Sequence, residues 1–193
     1  MADRPYHHGR LRAALLAEAE RTLREGGAEA LSLRDLARQA GVSHAAPRRH
    51  FADRQALLDA LAEAGFVRLG EEVGAAIDDA GEDWEERLRA AAAAYVRFAT
   101  QDAALMELMF AAKNAAGRSA ALREASVPLF TAVGDLIGQA QQAGALPRGD
   151  PWRLRLLLVA TLQGIATLVT SGRVPAGQTD ALIADAVVLF TRS

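Results

Sequence analysis

The residues best suited to chemistry are cationic, and they crowd into one short stretch. Between positions 31 and 51 stand Arg34, Arg38, His44, Arg48, Arg49 and His50, with Ser32 and Ser43 ahead of two short apolar patterns. Such donors suit a polyanion, held by charge and by hydrogen bonds to phosphate. The charge balance agrees. Residues 1–55 hold ten arginines against seven acids and all four histidines, a balance of +3. Residues 56–193 hold twelve cationic residues against seventeen acids, a balance of −5, so the formal net charge of −2 averages a basic head and an acidic body. A polyanion partner is therefore expected for the head alone.

Other chemistries find little support. The chain has no cysteine, which excludes a disulfide scaffold, a thiol nucleophile and thiolate metal sites. His7 and His8 are adjacent, so they do not share a helix face, and no further ligand cluster accompanies them; no metal or cofactor is expected. No Gly-rich phosphate loop, Gly-x-Ser-x-Gly elbow or His-Glu-x-x-His motif occurs. The pairs Glu71-Glu72, Asp78-Asp79 and Glu85-Glu86 are consecutive and read as solvated faces. An enzyme and a purely structural helical dimerisation module are the rival classes. A mobility shift on the DNA upstream of the gene separates both from a regulator.

The elements that must position the cationic residues are helices. Of the 193 residues 44 are alanine and only 5% are aromatic, which favours closely packed helices over a β-sandwich. Leu11, Leu15, Ala19 and Leu23 recur every fourth residue, and Gly26-Gly27 ends that helix. Ser32 with Asp35 three residues on reads as a capped start for Leu33, Leu36 and Ala37. Gly41 stops that short helix, and a third is expected from Ser43 to about Phe51. Ala37 supplies a small residue where two short helices cross, Gly41 tolerates positive φ in the turn, and Val42 and Phe51 are the expected buried anchors. This is helix–turn–helix spacing, compatible with DNA binding and also with plain packing. At about 100° per residue, with Phe51 inward, Pro47 also falls inward while Arg49, Ala45 and Ala46 point away and Arg48 and His50 flank them.

Beyond residue 53 the pattern stays helical. A long helix carries Leu57, Leu58 and Leu61; Trp84, Leu88, Tyr95 and Phe98 share a stripe; Leu105, Leu108, Met109 and Phe110 follow in a short apolar helix. Another helix spans 122–143, and two more lie beyond Pro151 and Gly177. The fold class is all-α with about nine helices, divided at 1–55 and 56–193. The last two helices are apolar on more than one side, and a helix apolar all round must be covered on both sides. A second, two-fold-related copy is the natural cover, placing Leu156, Leu158, Val159, Ile165, Val187, Leu189 and Phe190 at a dimer interface. A core helix in a compact monomer is the alternative. With no charged stretch preceding an apolar run at the start, and with the 156–172 run interrupted by Thr161, Gln163, Gly164 and Thr167, no membrane span and a cytosolic protein are expected.

Residues 31–51, continued by Ala52-Asp53-Arg54-Gln55-Ala56-Leu57-Leu58, resemble the DNA-binding head of the tetracycline-repressor (TetR) family of bacterial transcription regulators. Tyr6-His7-His8-Gly9-Arg10-Leu11, Ser43-His44-Ala45-Ala46-Pro47, 94–99 and 108–110 look like one branch of it. That branch often shows Trp-x-x-x-His-Gly, and here Val159, Gln163 and Gly164 occupy those positions, so only the glycine survives. The resemblance covers 6–61 strongly and the remainder in patches.

Several expectations follow from the resemblance. It implies a homodimeric repressor that binds double-stranded DNA at an inverted repeat. It implies phosphate contacts from Ser32, His50 and Arg54, and base contacts from Arg34, His44 and Arg49, with Ser43, Ala45, Ala46 and Arg48 along the same surface. Arg48 stands where the family usually has a phosphate-contacting tyrosine, so that contact is altered. It also implies a cavity for a small apolar or amphipathic effector. Tyr95, Phe98, Met106, Met109, Phe110, Phe130 and Gln163 are candidates for its wall, each equally readable as plain core.

Overall fold

The computed structural model describes residues 5–114 and 119–191, and the side chains of 11–112 and 119–191. The side chains of His7 and His8 therefore lie outside the described residues. The described chain is all helical, without a strand. Its eight α-helices are α1 (Pro5–Gly26), α2 (Leu33–Gln39), α3 (Arg54–Asp79), α4 (Trp84–Gln101), α5 (Ala103–Asn114), α6 (Ala120–Gln142), α7 (Pro151–Thr170) and α8 (Thr179–Thr191). Short 3₁₀ turns occupy Ala28–Ala30, Pro47–Arg49 and Ala176–Gln178. The ninth expected helix, from Ser43, is the second of these turns.

The chain forms two compact units, residues 1–65 with 104–123 and residues 66–103 with 124–193. In the first, the fourfold spacing in α1 buries Leu15, Ala19 and Leu23 with Leu31, Leu36 and Phe51. Ser32 Oγ accepts the Asp35 N–H at 3.4 Å and so starts α2. At the other end Gly41 takes φ +64°, and the Gly41 and Val42 N–H groups donate to Arg38 and Ala37 carbonyls at 3.2 and 3.0 Å. This double closure lets the chain reverse within two residues. Asp53 Oδ1 accepts the Ala56 N–H at 2.8 Å and starts α3. Where α5 crosses α3, a Cβ on Gly65 would sit 2.6 Å from Met109 Sδ, so only glycine allows that approach.

In the second unit, Asp83 caps α4 by accepting the Glu85 N–H at 2.8 Å, and α4 buries Leu88, Ala92, Tyr95 and Phe98 as the stripe requires. Helices α4, α7 and α8 pack on one another. Asp150 caps α7 through the Trp152 N–H at 2.9 Å, with Pro151 in the first turn where its missing donor costs nothing. Helix α7 buries Leu162, Ile165 and Ala166; α8 buries Ile183, Ala186 and Val187. Their other sides stay apolar and uncovered, with Leu156 53% and Leu189 71% exposed beside exposed Leu157 and Leu168.

The 156–172 run departs from expectation in one respect. The polar interruptions at Thr161, Gln163 and Thr167 do not shorten the helix; the two threonine hydroxyls bond back to the carbonyl one turn earlier, at 2.9 and 2.8 Å, and so expose no unpaired donor. Helix α7 therefore has 20 residues, enough to cross a membrane by length and composition alone.

Candidate nucleic-acid interface

The cationic stretch rests on a small, firmly packed base. Ala37 is fully buried where α2 meets α1, and Phe51 is buried with the Arg12 guanidinium 5.6 Å from its ring centre. Pro47 is buried as well, so the segment between α2 and α3 is pinned inward at Pro47 and Phe51. Val42, expected as an anchor, is only half-buried.

Pinning leaves the functional side chains outside. Ser43, His44, Ala45, Arg48 and Arg49 are exposed, and Ala46 and His50 half-buried. Arg34, one residue into α2, is exposed too, while Ser32 is half-buried, its Oγ accepting the cap bond of α2. Arg38 pairs with Asp35 at 3.0 Å.

The segment is not the regular α-helix expected from Ser43. Proline has no N–H, so the bond from position 47 to the Ser43 carbonyl cannot form. Instead Ala46 donates to Ser43 at 2.9 Å and Arg49 to Ala46 at 3.2 Å, both spanning three residues. The N-cap of the turn is Ala46, which has no polar side chain to cap with, and not Ser43. At three residues per turn, Arg48 and Arg49 splay roughly 120° to either side of Pro47. The expected contrast between an edge position and a central one therefore disappears. Both arginines are exposed.

Arg54 is placed differently from the others. Its Nε donates to the Leu31 carbonyl at 3.1 Å and its Nη2 to the Ala28 carbonyl at 2.6 Å, with Glu29 at 3.8 Å. It ties the start of α3 to the loop before α2. Nothing local in the sequence signals this tie, because its partners lie 23 and 26 residues away.

The residues proposed for an effector wall divide between the two units. Met106, Met109 and Phe110 belong to the first, with Met106 and Met109 fully buried. Tyr95, Phe98, Phe130 and Gln163 belong to the second. There the Tyr95 hydroxyl donates to Gln163 Oε1 at 3.0 Å, and burial pushes the phenol up to about 12. Tyr95 also lines an apolar cavity of about 30 Å³ with Val73, Leu129, Val133, Leu158 and Val159. Leu158 and Val159, both expected at a dimer interface, are half-buried. Of the other interface candidates, Ile165 and Val187 are buried inside the protomer, Phe190 is half-buried, and Leu156 and Leu189 are exposed. Among the described residues no group of histidines and acids is arranged to hold a metal ion.

Two family models match this chain. Bacterial regulatory proteins of the tetR family match residues 15–61, and the tetracyclin repressor-like C-terminal domain matches residues 88–190, over half of the chain. The protein belongs to the TetR family. It is accordingly a DNA-binding transcriptional regulator and not an enzyme. Among solved structures, a protein of unknown function from Rhodococcus sp. RHA1 is 45% identical, with TM-score 0.88 over 98% of both chains. A TetR-family transcriptional regulator from Pectobacterium atrosepticum is 25% identical, with TM-score 0.67 over 97% of this chain and 93% of that one. The superantigen PfiT shares the fold at 20% identity and TM-score 0.79, over 95% of this chain and 97% of that one. A search of curated proteins found no match.

Proposed function

We propose that this TetR-family regulator is a cytoplasmic, ligand-responsive repressor that binds an inverted-repeat operator as a homodimer. Residues 1–55 read DNA and residues 56–193 dimerise and sense the effector. The observation that carries the DNA-reading part is the pinned turn at Pro47 and Phe51, which leaves Arg48, Arg49 and His44 outside. Small Ala45 and Ala46 let that surface approach a major groove. Arg34, His44 and Arg49 reach base edges; Ser32, Ser43, Arg48 and His50 touch the phosphate backbone. Arg54 serves this surface by fixing the loop that carries Ser32.

The homodimer is supported by the uncovered face of α7 and α8. Along α7, Leu157, Ala160, Gly164 and Leu168 are exposed at helical spacing. A Cβ on Gly164 would meet nothing within 4 Å, so the protomer itself does not require glycine there. A partner helix approaching closely does. The effector is a small apolar or amphipathic molecule held beside Tyr95 and Gln163, in the position where the related branch has histidine. Expansion of the cavity there is the event that changes DNA affinity, and DNA must weaken the effector by the same factor.

Mobility shifts on DNA upstream of the gene, over a salt series, test the reading. A specific complex whose affinity falls steeply with salt is expected. Equal affinity for the upstream fragment and for random duplex overturns it.

A further inference from the structure

A second cleft lies in the C-terminal unit, away from the Tyr95 cavity and sharing only Leu136 with it. Its volume is about 230 Å³. Gly74, Ile77 and Asp78 of α3 form one wall, Arg87 of α4 another, and Ala132, Asp135, Leu136 and Gln139 of α6 the third. Two facts bear on what it could hold.

The first is unused charge. The Arg87 guanidinium stacks 4.7 Å from the centre of the Trp84 ring, which holds it in place. Its Nε is buried and meets no hydrogen-bond acceptor. Among the described residues Arg87 makes no ion pair, although Asp78 and Asp135, both exposed, line the same cleft. A cation on one wall and two carboxylates on the others stand apart rather than neutralising each other. The second is Gly74. It lies inside the long helix α3, where glycine is unfavourable, yet a Cβ there would meet nothing within 4 Å. Packing does not demand a glycine at that position. The missing side chain leaves open space on the α3 wall of the cleft.

We propose that this cleft binds a small zwitterion of the amino-acid class, with its carboxylate on Arg87 and its ammonium groups on Asp78 and Asp135. Arginine offers carboxylate a planar fork of donors, and the apolar floor accepts the methylene chain. Two carboxylates against one guanidinium leave the cleft with a net charge of −1, so a basic amino acid fits better than a neutral or acidic one. The site is independent of the effector reading, since it shares neither Tyr95 nor Gln163.

Titration calorimetry of the intact protein with L-lysine, L-alanine, L-glutamate and cadaverine tests the assignment. L-lysine is expected to bind most tightly, L-alanine about tenfold more weakly and L-glutamate not detectably. Arg87→Met keeps the stem over Trp84 and should weaken L-lysine about tenfold or more while leaving cadaverine, which has no carboxylate, unchanged. Gly74→Leu should block both by filling the cleft. Asp135→Asn, an isosteric and mild change, should weaken L-lysine and cadaverine alike, so the test does not depend on Gly74→Leu folding. No heat with L-lysine at millimolar concentration overturns the assignment. So does L-lysine binding that survives both Arg87→Met and Asp135→Asn.

Discussion

The turn at Pro47–Arg49 and the outer face of α7 and α8 are both exposed, and they expose opposite chemistries. The turn is short, irregular and studded with arginine; Pro47 within it and Phe51 just after it are buried and hold it down. The α7–α8 face is regular helix bearing Leu156, Leu157, Leu168 and Leu189. An exposed cation is already satisfied by solvent and gains from phosphate by releasing counterions. An exposed leucine gains only by leaving water. The first surface is therefore suited to a partner that comes and goes with salt, the second to one that stays.

The largest expected effect breaks the apolar side of this contrast. Leu156→Glu with Leu189→Glu places four carboxylates across a two-fold interface, and the dimerisation constant should fall by about a thousandfold or more. Sedimentation should then show monomers that circular dichroism still finds helical, since both side chains are exposed in the protomer. Leu158→Glu should behave differently. Leu158 lines the cavity beside Tyr95, so its replacement should lower the melting temperature of the protomer itself.

The inner side of α7 can be sharpened by pH. Burial holds the Tyr95 phenol at about 12 in the folded protein, against about 10 in an unfolded chain. Its raised value means the folded state keeps its proton while the unfolded state has lost it. The associated stability is whole below pH 10 and is lost as pH rises from about 10 to 12, an effect on the order of 3 kcal/mol. Urea midpoints measured across that window should fall, and Tyr95→Phe should remove the tyrosine-dependent part of the fall. An identical alkaline decline in the variant would place the loss elsewhere.

How much of this is legible in the sequence depends on how local each signal is. The fourfold stripe of α1, the Ser32 cap and the Gly41 turn are dictated within a few residues, and they appear as expected. The third helix gives way to a 3₁₀ turn because the missing N–H of Pro47, itself a local signal, outweighs the apolar periodicity around it. Arg54 is a different case. Its tie to Ala28 and Leu31 exists only after the chain has folded back, so a free phosphate contact and a structural staple look alike in sequence. On α7 the composition shows too much apolar surface for one side, but which leucines face the protomer is decided by α4 and α8. Hence Ile165 and Val187 turn inward while Leu157 and Leu168 stay out.

Smaller effects probe the charged turn. Arg49→Ala is expected to cost ~1–3 kcal/mol on the operator and to relax preference at one base pair, measured by competition with substituted duplexes. Arg48→Tyr is expected to be gentler. It should weaken all sequences alike and flatten the plot of log affinity against log salt by about one unit for each phosphate no longer neutralised. Because the two arginines splay symmetrically from Pro47, the pair of experiments decides which of them reads bases. A changed base preference in Arg48→Tyr, with an intact salt slope, would exchange their roles.

The most direct measurement combines hydroxyl-radical footprinting of the upstream DNA with native mass spectrometry of the complex. A dimer presenting one arginine turn per protomer should protect two inverted half-sites whose centres lie roughly 34 Å apart or a multiple of that. Each such site should carry protomers in pairs, and Arg49→Ala should weaken both half-sites equally. A single asymmetric site saturated by one protomer would contradict the homodimeric reading of both surfaces.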